Sequence, residues 1–409
     1  MVWPFSPTGT FPLDSAGTSA FPGKVLASAD WNNCFQDIID GMTTLGTFTA
    51  TAPVNVKSFG ATGGGSIDDS AAIASAIASL AAVGGGVVYF PPGTYYVPSG
   101  ISIGGVSTQN ITLQGAGRTA TYLASKGTDV VVITVGTSGQ SYVNALSVFG
   151  KGSSPFPDTG TFGATQNAVQ WNGAGGGMLD VQIFGGLRPL ALGQFAIDNK
   201  FFNVETREGF GTTNAYINGA SWFYRCKWDQ SATTVANTTN PVAVPARADT
   251  TLYVAGNSVT SGGYVLTCQV GGTSGGAPPT LLNYGRNITD GTVTWQLGAP
   301  ATFSGMIVDT LAGENHFNMV DLTGQYTTSL IQSGGAGTYT VFGDGVIAQP
   351  ISVLSGALFA LHDTQLGENI TIDTAYTGIT HISDNYGITS SIDIDITVGA
   401  NVNDFTIAD

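Results

Sequence analysis

The sequence is short of charge. Only 10% of its 409 residues are charged, with twelve Lys and Arg against 27 Asp and Glu. A formal net charge of −15 excludes a nucleic-acid partner, which demands a basic footprint, and disfavours an anionic membrane surface. A polyanionic polysaccharide would have to find a local basic patch on this background. Cysteine is scarce too. Cys34, Cys226 and Cys268 lie far apart, with no metal-ligand spacing and no even-numbered disulfide framework, so they read as buried thiols. No run of 18 apolar residues occurs, so no membrane-spanning helix and no membrane insertion are expected. The opening "MVWPFSPTGTF" lacks the basic and hydrophobic parts of an export signal. Delivery by something other than secretion is the expectation for work outside a cell.

Glycine is plentiful, at 58 copies, and the apolar fraction is 42%, so the low charge does not mean disorder. Many Thr, Ser and Asn with few Lys and Glu describe an all-β chain rich in turns. Helix-forming surfaces are missing outside two short segments. The first lies in residues 1–53, a proline-broken opening that reads as a separate unit. There "SADWNNCFQDIIDGM" predicts a short helix, capped by Ser28 or Asp30 and ended by Gly41. Its stripe of Trp31, Cys34, Phe35, Ile38 and Ile39 needs a partner, either a sister copy or a larger assembly.

The second segment is "DDSAAIASAIASL". Asp68 or Asp69 can cap it, and Ile73, Ala76, Ile77 and Leu80 follow the i, i+3, i+4, i+7 spacing of a one-faced helix suited to covering an exposed core. "GGGVVYFPPGTYYV" follows (residues 84–97). Its glycines end the helix, and "VVYF" starts a strand. Pro91 and Pro92 forbid further pairing, and the chain restarts at Tyr95 after a corner. Beyond residue 100, short runs such as "NITLQGAG", "NAVQWNG", "LDVQIFGG" and "FFNVETREG" recur without helices between them. Sandwich, barrel and parallel β-helix all fit that recurrence. One interval favours the last. Ile183 to Val204 is 21 residues and Val204 to Cys226 is 22, a period suited to one coil of a three-sided solenoid. On that reading Phe202 and Val204 face inward, as do Trp222, Tyr224, Cys226 and Trp228.

The segment from Val54 to about Gly117 resembles the opening of pectate-lyase-like right-handed β-helix proteins, a family that includes polygalacturonase-type enzymes and many phage tailspikes. The "FGA" turn, "DDSAAIASAI", "VVYFPPGTY" and "ITLQGAG" carry the resemblance. A second stretch, at about 246–298, looks like a small phage-virion β-module related to chitin-binding-type folds, through its "GTSG…P…TDGTVTW" frame. Its usual opening aromatic is not evident, and Tyr253, Tyr264 and Trp295 read as its core. The expected fold class is therefore an all-β, single-stranded right-handed parallel β-helix with an N-terminal capping helix at 68–82. Its expected parts are an attachment segment 1–53, a first solenoid part 54–231, an inserted module 232–301 and a completing part 302–409.

The resemblance implies a tailspike or head spike: a side-by-side homotrimer, held to phage tail or head proteins through residues 1–53. Such a spike sits on a virion exposed to the medium and binds a host surface polysaccharide. Two alternatives stand beside binding. One is depolymerisation of that polysaccharide by a glycosidase or lyase; the other is a purely structural decoration role.

Charge concentrates in residues 198–229, where eight of the 32 residues are charged. A 22-residue register sets Glu205 beside Lys227 and Arg207 beside Asp229, on a face turned outward. Two cross-coil ion pairs on a solvated surface are one reading. The other is a sugar groove, with Glu205, Arg207 and Asp229 as catalytic candidates and Asn203, Glu208, Arg225 and Lys227 as polysaccharide-binding candidates. Hydrolysis would use two carboxyls about 5–9.5 Å apart, from Glu205, Glu208 and Asp229, with Asp180 and Asp198 further off. A lyase would use Arg207 or Lys227 as base. No polygalacturonase-like aspartate pair with its His motif is found; "YRCKWD" holds an Arg-x-Lys, as readily by chance as by role, and His316, His362 and His381 are dispersed. No metal is expected, Asp393 and Asp395 reading as a solvated strand edge. No cofactor is expected either, because the GxG patterns are turn glycines outside any strand–loop–helix context.

Overall fold

The structure is a computed structural model. It describes residues 52–105, 110–126, 130–137, 139–151, 167–209, 213–229, 244–279, 287–300, 304–310, 312–324, 328–374, 376–387, 396–398 and 404–408. The helix expected near residues 28–41, Cys34 and the pair Asp393 and Asp395 lie outside them.

The chain winds as a parallel β-helix. Each coil contributes short strands that pair in parallel with the coils before and after it. On the first two faces these strands form a 20-stranded sheet bent around a corner, and on the third face a 10-stranded sheet. The long strands Tyr142–Phe149, Gly177–Phe184 and Ile197–Arg207 pass through that corner without a break. Elsewhere the first face holds strands such as Ala220–Tyr224, and the second their continuations such as Lys227–Asp229. Among the described residues no helix is long and apolar enough to cross a membrane.

The capping helix is Ser70–Ala81, with Ile73, Ala76 and Leu80 buried on the first coil and Ile77 packed at their margin. The two aspartates divide their work. Asp68 Oδ1 accepts from the Ser70 backbone N–H at 2.8 Å. Asp69 occupies the cap position without a side-chain bond to the helix. Its buried carboxylate accepts instead from the Thr62 and Gly63 N–H groups at 2.6 and 3.1 Å, tying down the glycine loop. The strand Gly85–Phe90 then stops at Pro91 and Pro92, and Gly93–Tyr96 opens the second face. Gly93 sits at φ 154°, and a Cβ there would meet the Gly63 carbonyl oxygen at 2.6 Å. The corner admits no side chain.

The interior is a column of apolar rungs. Phe201, Phe223, Phe317 and Phe342 stack face to face, with centroids 4.9, 4.8 and 6.0 Å apart, and Trp171 meets Phe201 edge-on at 5.5 Å. The step from Phe223 to Phe317 spans the inserted module. That module is antiparallel, with strands Ser258–Ser261, Tyr264–Val270, Asn287–Asp290 and Val293–Pro300. It has a core of its own around Tyr253, Leu266, Cys268 and Trp295, with Tyr264 packed against it. Beside this core Arg247 and Asp290 form a buried ion pair, Nε to Oδ2 at 2.7 Å, and Trp295 Nε1 donates to the same oxygen at 2.8 Å.

The corner between the first two faces corrects part of the sequence reading. At this corner Ala145, Asp180, Asn203, Arg225, Met319, Asp344, Asp363 and Asp384 all adopt left-handed backbone, with φ between 48° and 56°. Such a residue turns the chain and resets the inward–outward alternation. On the strand Ile197–Arg207, Phe201 and Val204 therefore both point inward, while Phe202 is half-buried on the outside. Likewise Phe223, Cys226 and Trp228 are interior, but Trp222 and Tyr224 lie on the outer surface. The coil period shifts accordingly. Val181 pairs with Val204, 23 residues on, and Ile183 pairs with Thr206 rather than Val204. Both cysteines among the described residues are free and buried, and burial pushes the Cys226 thiol up to about 12, leaving it inert.

Candidate functional site

Strand pairing sets Gln182, Glu205, Lys227, Asp321 and Val346 on successive rungs of the second face, about 4.8 Å apart. Arg207 pairs with Asp229 on the neighbouring row. Both cross-coil pairings expected from the 22-residue register are therefore present. Beside these rows runs the left-handed corner, which presents Asp180, Asn203, Arg225, Met319 and Asp344. Between them lies a groove of about 590 Å³ lined by Arg118, Gln182, Asn203, Glu205, Arg207, Arg225, Lys227, Asp321 and Asp344 among others.

The carboxylates are tightly held. Glu205 accepts from Gln182 Nε2 at 2.7 Å and from Arg207 Nε at 2.6 Å. Arg207 Nη2 contacts the same Glu205 oxygen and reaches Asp229 Oδ2 at 3.8 Å. Lys227 Nζ approaches that Asp229 oxygen to 3.5 Å. Upstream, Arg118 lies 3.6 Å from Asp180 and 3.9 Å from Glu205, and Asn203 Nδ2 donates to Asp180 Oδ1 at 2.8 Å. The result is a lattice of opposite charges across four coils. Two other carboxyls face different surroundings. Burial raises Asp321 above the usual carboxylate range, with Lys227 pulling the other way. Asp344 is raised by burial and by neighbouring Asp363, with His362 opposing.

Of the residues singled out from sequence, Asn203, Glu205, Arg207, Arg225 and Lys227 line the groove, and Asp229 is tied to it through Arg207 and Lys227. Glu208 does not line it; it is buried, with φ 59°. Arg118, Gln182, Asp321 and Asp344 were not singled out. Asp321 pairs with Lys227 across the whole inserted module, so no fixed period reaches it. The dispersed histidines stay outside the groove lining: His316 stacks on Trp222 with centroids 5.8 Å apart, and His362 Nδ1 lies 3.2 Å from Asp363. Among the described residues no group of three or more His, Cys, Asp and Glu is placed to hold a metal ion.

The raised Asp321 gives a testable sign. Folded Asp321 holds its proton more tightly than the unfolded chain does, so its contribution favours folding at low pH and is lost as pH rises through the raised value. Asp321→Asn is therefore expected to raise the melting temperature near pH 7 and leave it nearly unchanged near pH 3. Melting curves across that range check this, and an equal gap at both ends would refute it.

The model of the rhamnogalacturonase A/epimerase, pectate lyase-like family matches residues 53–273, more than half of the chain. The chain belongs to that family. This pectate-lyase-like protein is 39% identical over 104 residues to the mannuronan C5-epimerase AlgE6 of Azotobacter vinelandii, covering 25% of this chain and 11% of that protein. It is 56% identical over 46 residues to AlgE3 of the same organism, covering 11% of this chain and 2% of that one. The chain thus spans about a tenth or less of the length of these curated relatives. Among solved structures, the tailspike gp49 of Acinetobacter baumannii bacteriophage Fri1, a capsular polysaccharide depolymerase, aligns over 82% of this chain and 59% of its own, at 12% identity and a TM-score of 0.44.

Proposed function

We propose that the protein binds an acidic polysaccharide of a cell surface along the second-face groove, as a spike of a phage or phage-like particle. One observation carries the binding reading. Arg118, Arg207, Arg225 and Lys227 line the groove with Glu205, Asp321 and Asp344, and Asp180 and Asp229 pair with these cations at its border, whereas the whole chain has twelve basic residues against 27 acidic ones. A third of the chain's basic residues thus meet on one surface, where carboxylate partners hold Arg118, Arg207 and Lys227. Guanidinium forks and an ammonium suit uronate carboxylates; the amides of Gln182 and Asn203 suit hydroxyls. The named substrate of the curated relatives, mannuronan, is itself a polyuronate. The spike assignment draws on the sequence resemblance of residues 54–117 and 246–298. On that assignment residues 1–53 attach the spike to tail or head proteins, and three chains pack side by side.

Equilibrium binding to polygalacturonate and to a neutral glucan, at low and high salt, tests the reading. The expected result is binding of the acidic polymer alone, weakened by salt. Equal binding of both polymers, or of neither, overturns it.

Asp321 favours a second reading, degradation of the bound polymer. Its half-buried carboxyl, raised in pKa, stands beside Lys227, which brings a proton donor and an ammonium to one point of the groove. In a lyase step a base in the groove takes the proton alpha to the uronate carboxylate, Arg207 and the Lys227 ammonium neutralise that carboxylate, the bond to the beta oxygen breaks as the double bond forms, and Asp321 protonates the leaving oxygen. Unsaturated uronates would then accumulate on incubation with the acidic polymer. Their absence, together with the absence of new reducing ends, leaves the binding role alone.

A further inference from the structure

The third face carries a separate constellation. Arg188 begins the strand Arg188–Leu192, and its guanidinium carbon lies 4.3 Å from the centroid of the Tyr216 ring on the strand Thr213–Ile217. The Tyr216 hydroxyl donates in turn to Asp309 Oδ2. Burial and Asp309 push the phenol up to about 12, so it stays neutral and offers no phenolate to Arg188. Among the described residues Arg188 has no carboxylate within ion-pair distance. That is notable on a chain of net charge −15, where Arg118, Arg207, Lys227 and Arg247 each have at least one.

The surroundings suit a sugar. Gln170, Ala191, Tyr216, Ile307 and Ile331 occupy successive rungs of the outer face. Ala191 supplies only a methyl group between the Gln170 amide and the phenol ring. Asn167, the strand partner of Arg188, donates through Nδ2 to Gln170 Oε1 at 2.7 Å, and Gln170 Nε2 donates to Asn172 Oδ1 at 2.9 Å. A guanidinium held over an aromatic ring keeps its planar fork of donors, which matches a carboxylate. Ile307 and Ile331, half-buried beside the ring, give an apolar floor, and the amide chain gives partners for hydroxyls.

We propose that this part of the third face is a second binding site, separate from the groove, for a carboxylated sugar, with Arg188 taking the carboxylate and Tyr216 holding Arg188 in place. Because the two sites lie on different faces, a short ligand cannot serve both.

Calorimetric titration of the full chain with digalacturonate tests this. Two sites are expected. Arg188→Ala removes the third-face site, weakening it roughly tenfold or more, and leaves the groove site; Arg207→Ala does the reverse. Arg188→Lys keeps the charge but loses the planar fork, so it too weakens the site, at an unchanged melting temperature. A single site lost with Arg207→Ala and untouched by Arg188→Ala overturns this inference and leaves the groove reading intact. A single site lost only with Arg188→Ala does the opposite. Inorganic phosphate competing as well as the sugar acid would mark a general anion site and overturn the sugar assignment.

Discussion

Arg207→Ala is expected to weaken polyuronate binding by roughly 30-fold, or about 2 kcal/mol. The size of the effect follows from what Arg207 holds. It donates to Glu205 and reaches Asp229, on its own coil and the next. Truncation removes the cation that faces a bound carboxylate. It also leaves Glu205 with the Gln182 amide and a distant Arg118, so an acidic polymer would meet an under-compensated carboxylate. Arg207→Lys should recover only part of the loss, because one ammonium cannot bridge both carboxylates as a planar fork does. Titration with polygalacturonate, alongside a melting curve to confirm the fold, measures both. Affinities within twofold of the parent for the alanine variant would remove Arg207 from the binding surface.

Phe223→Ala is the stability counterpart, with an expected loss of about 3–5 kcal/mol. Phe223 is fully buried between Phe201 and Phe317, and Trp228 meets it edge-on at 5.7 Å. Its stack joins the coils before the inserted module to the coils after it. A solenoid draws its stability from neighbouring rungs, so a void here separates two halves rather than loosening one residue. The denaturant midpoint should fall sharply, and an early separate transition for one half of the coils is the further sign. Tyr339→Ala, on an outward position 40% exposed, is the matched control and should stay within about 0.5 kcal/mol. Equal losses for the two variants would contradict the stack's role.

Much of the fold was legible from residues that admit few alternatives. Pro91 and Pro92 cannot pair, Gly93 sits where no side chain fits, and the stripe from Ile73 to Leu80 has one apolar face; strand break, corner and capping helix follow from these local facts. The register of Glu205 with Lys227 and of Arg207 with Asp229 was also readable, since both follow from a coil length of 22 residues. What escaped was the phase of alternation. Phe202, Trp222 and Tyr224 follow the two-residue period of an unbroken strand, yet each lies outside because the next coil corner turns through a left-handed residue. Asn203 is a residue type prone to that conformation, but Arg225 and Met319 give no such sign. Both nonetheless turn the corner at φ 50° and 53°.

The sequence by itself determined the class of the protein: an all-β solenoid with its first corner at Pro91–Pro92, a helix over its end, and charge gathered in residues 198–229. Turn chemistry and periodicity act over a few residues and survive being read one at a time. Only the tertiary structure decided which residues share a surface. Lys227 meets Asp321, and Phe223 meets Phe317, across an insertion that no period bridges, and Arg188 reaches Tyr216 across strands of the third face. Those meetings depend on parallel pairing between coils, a long-range register set by the whole stacked column.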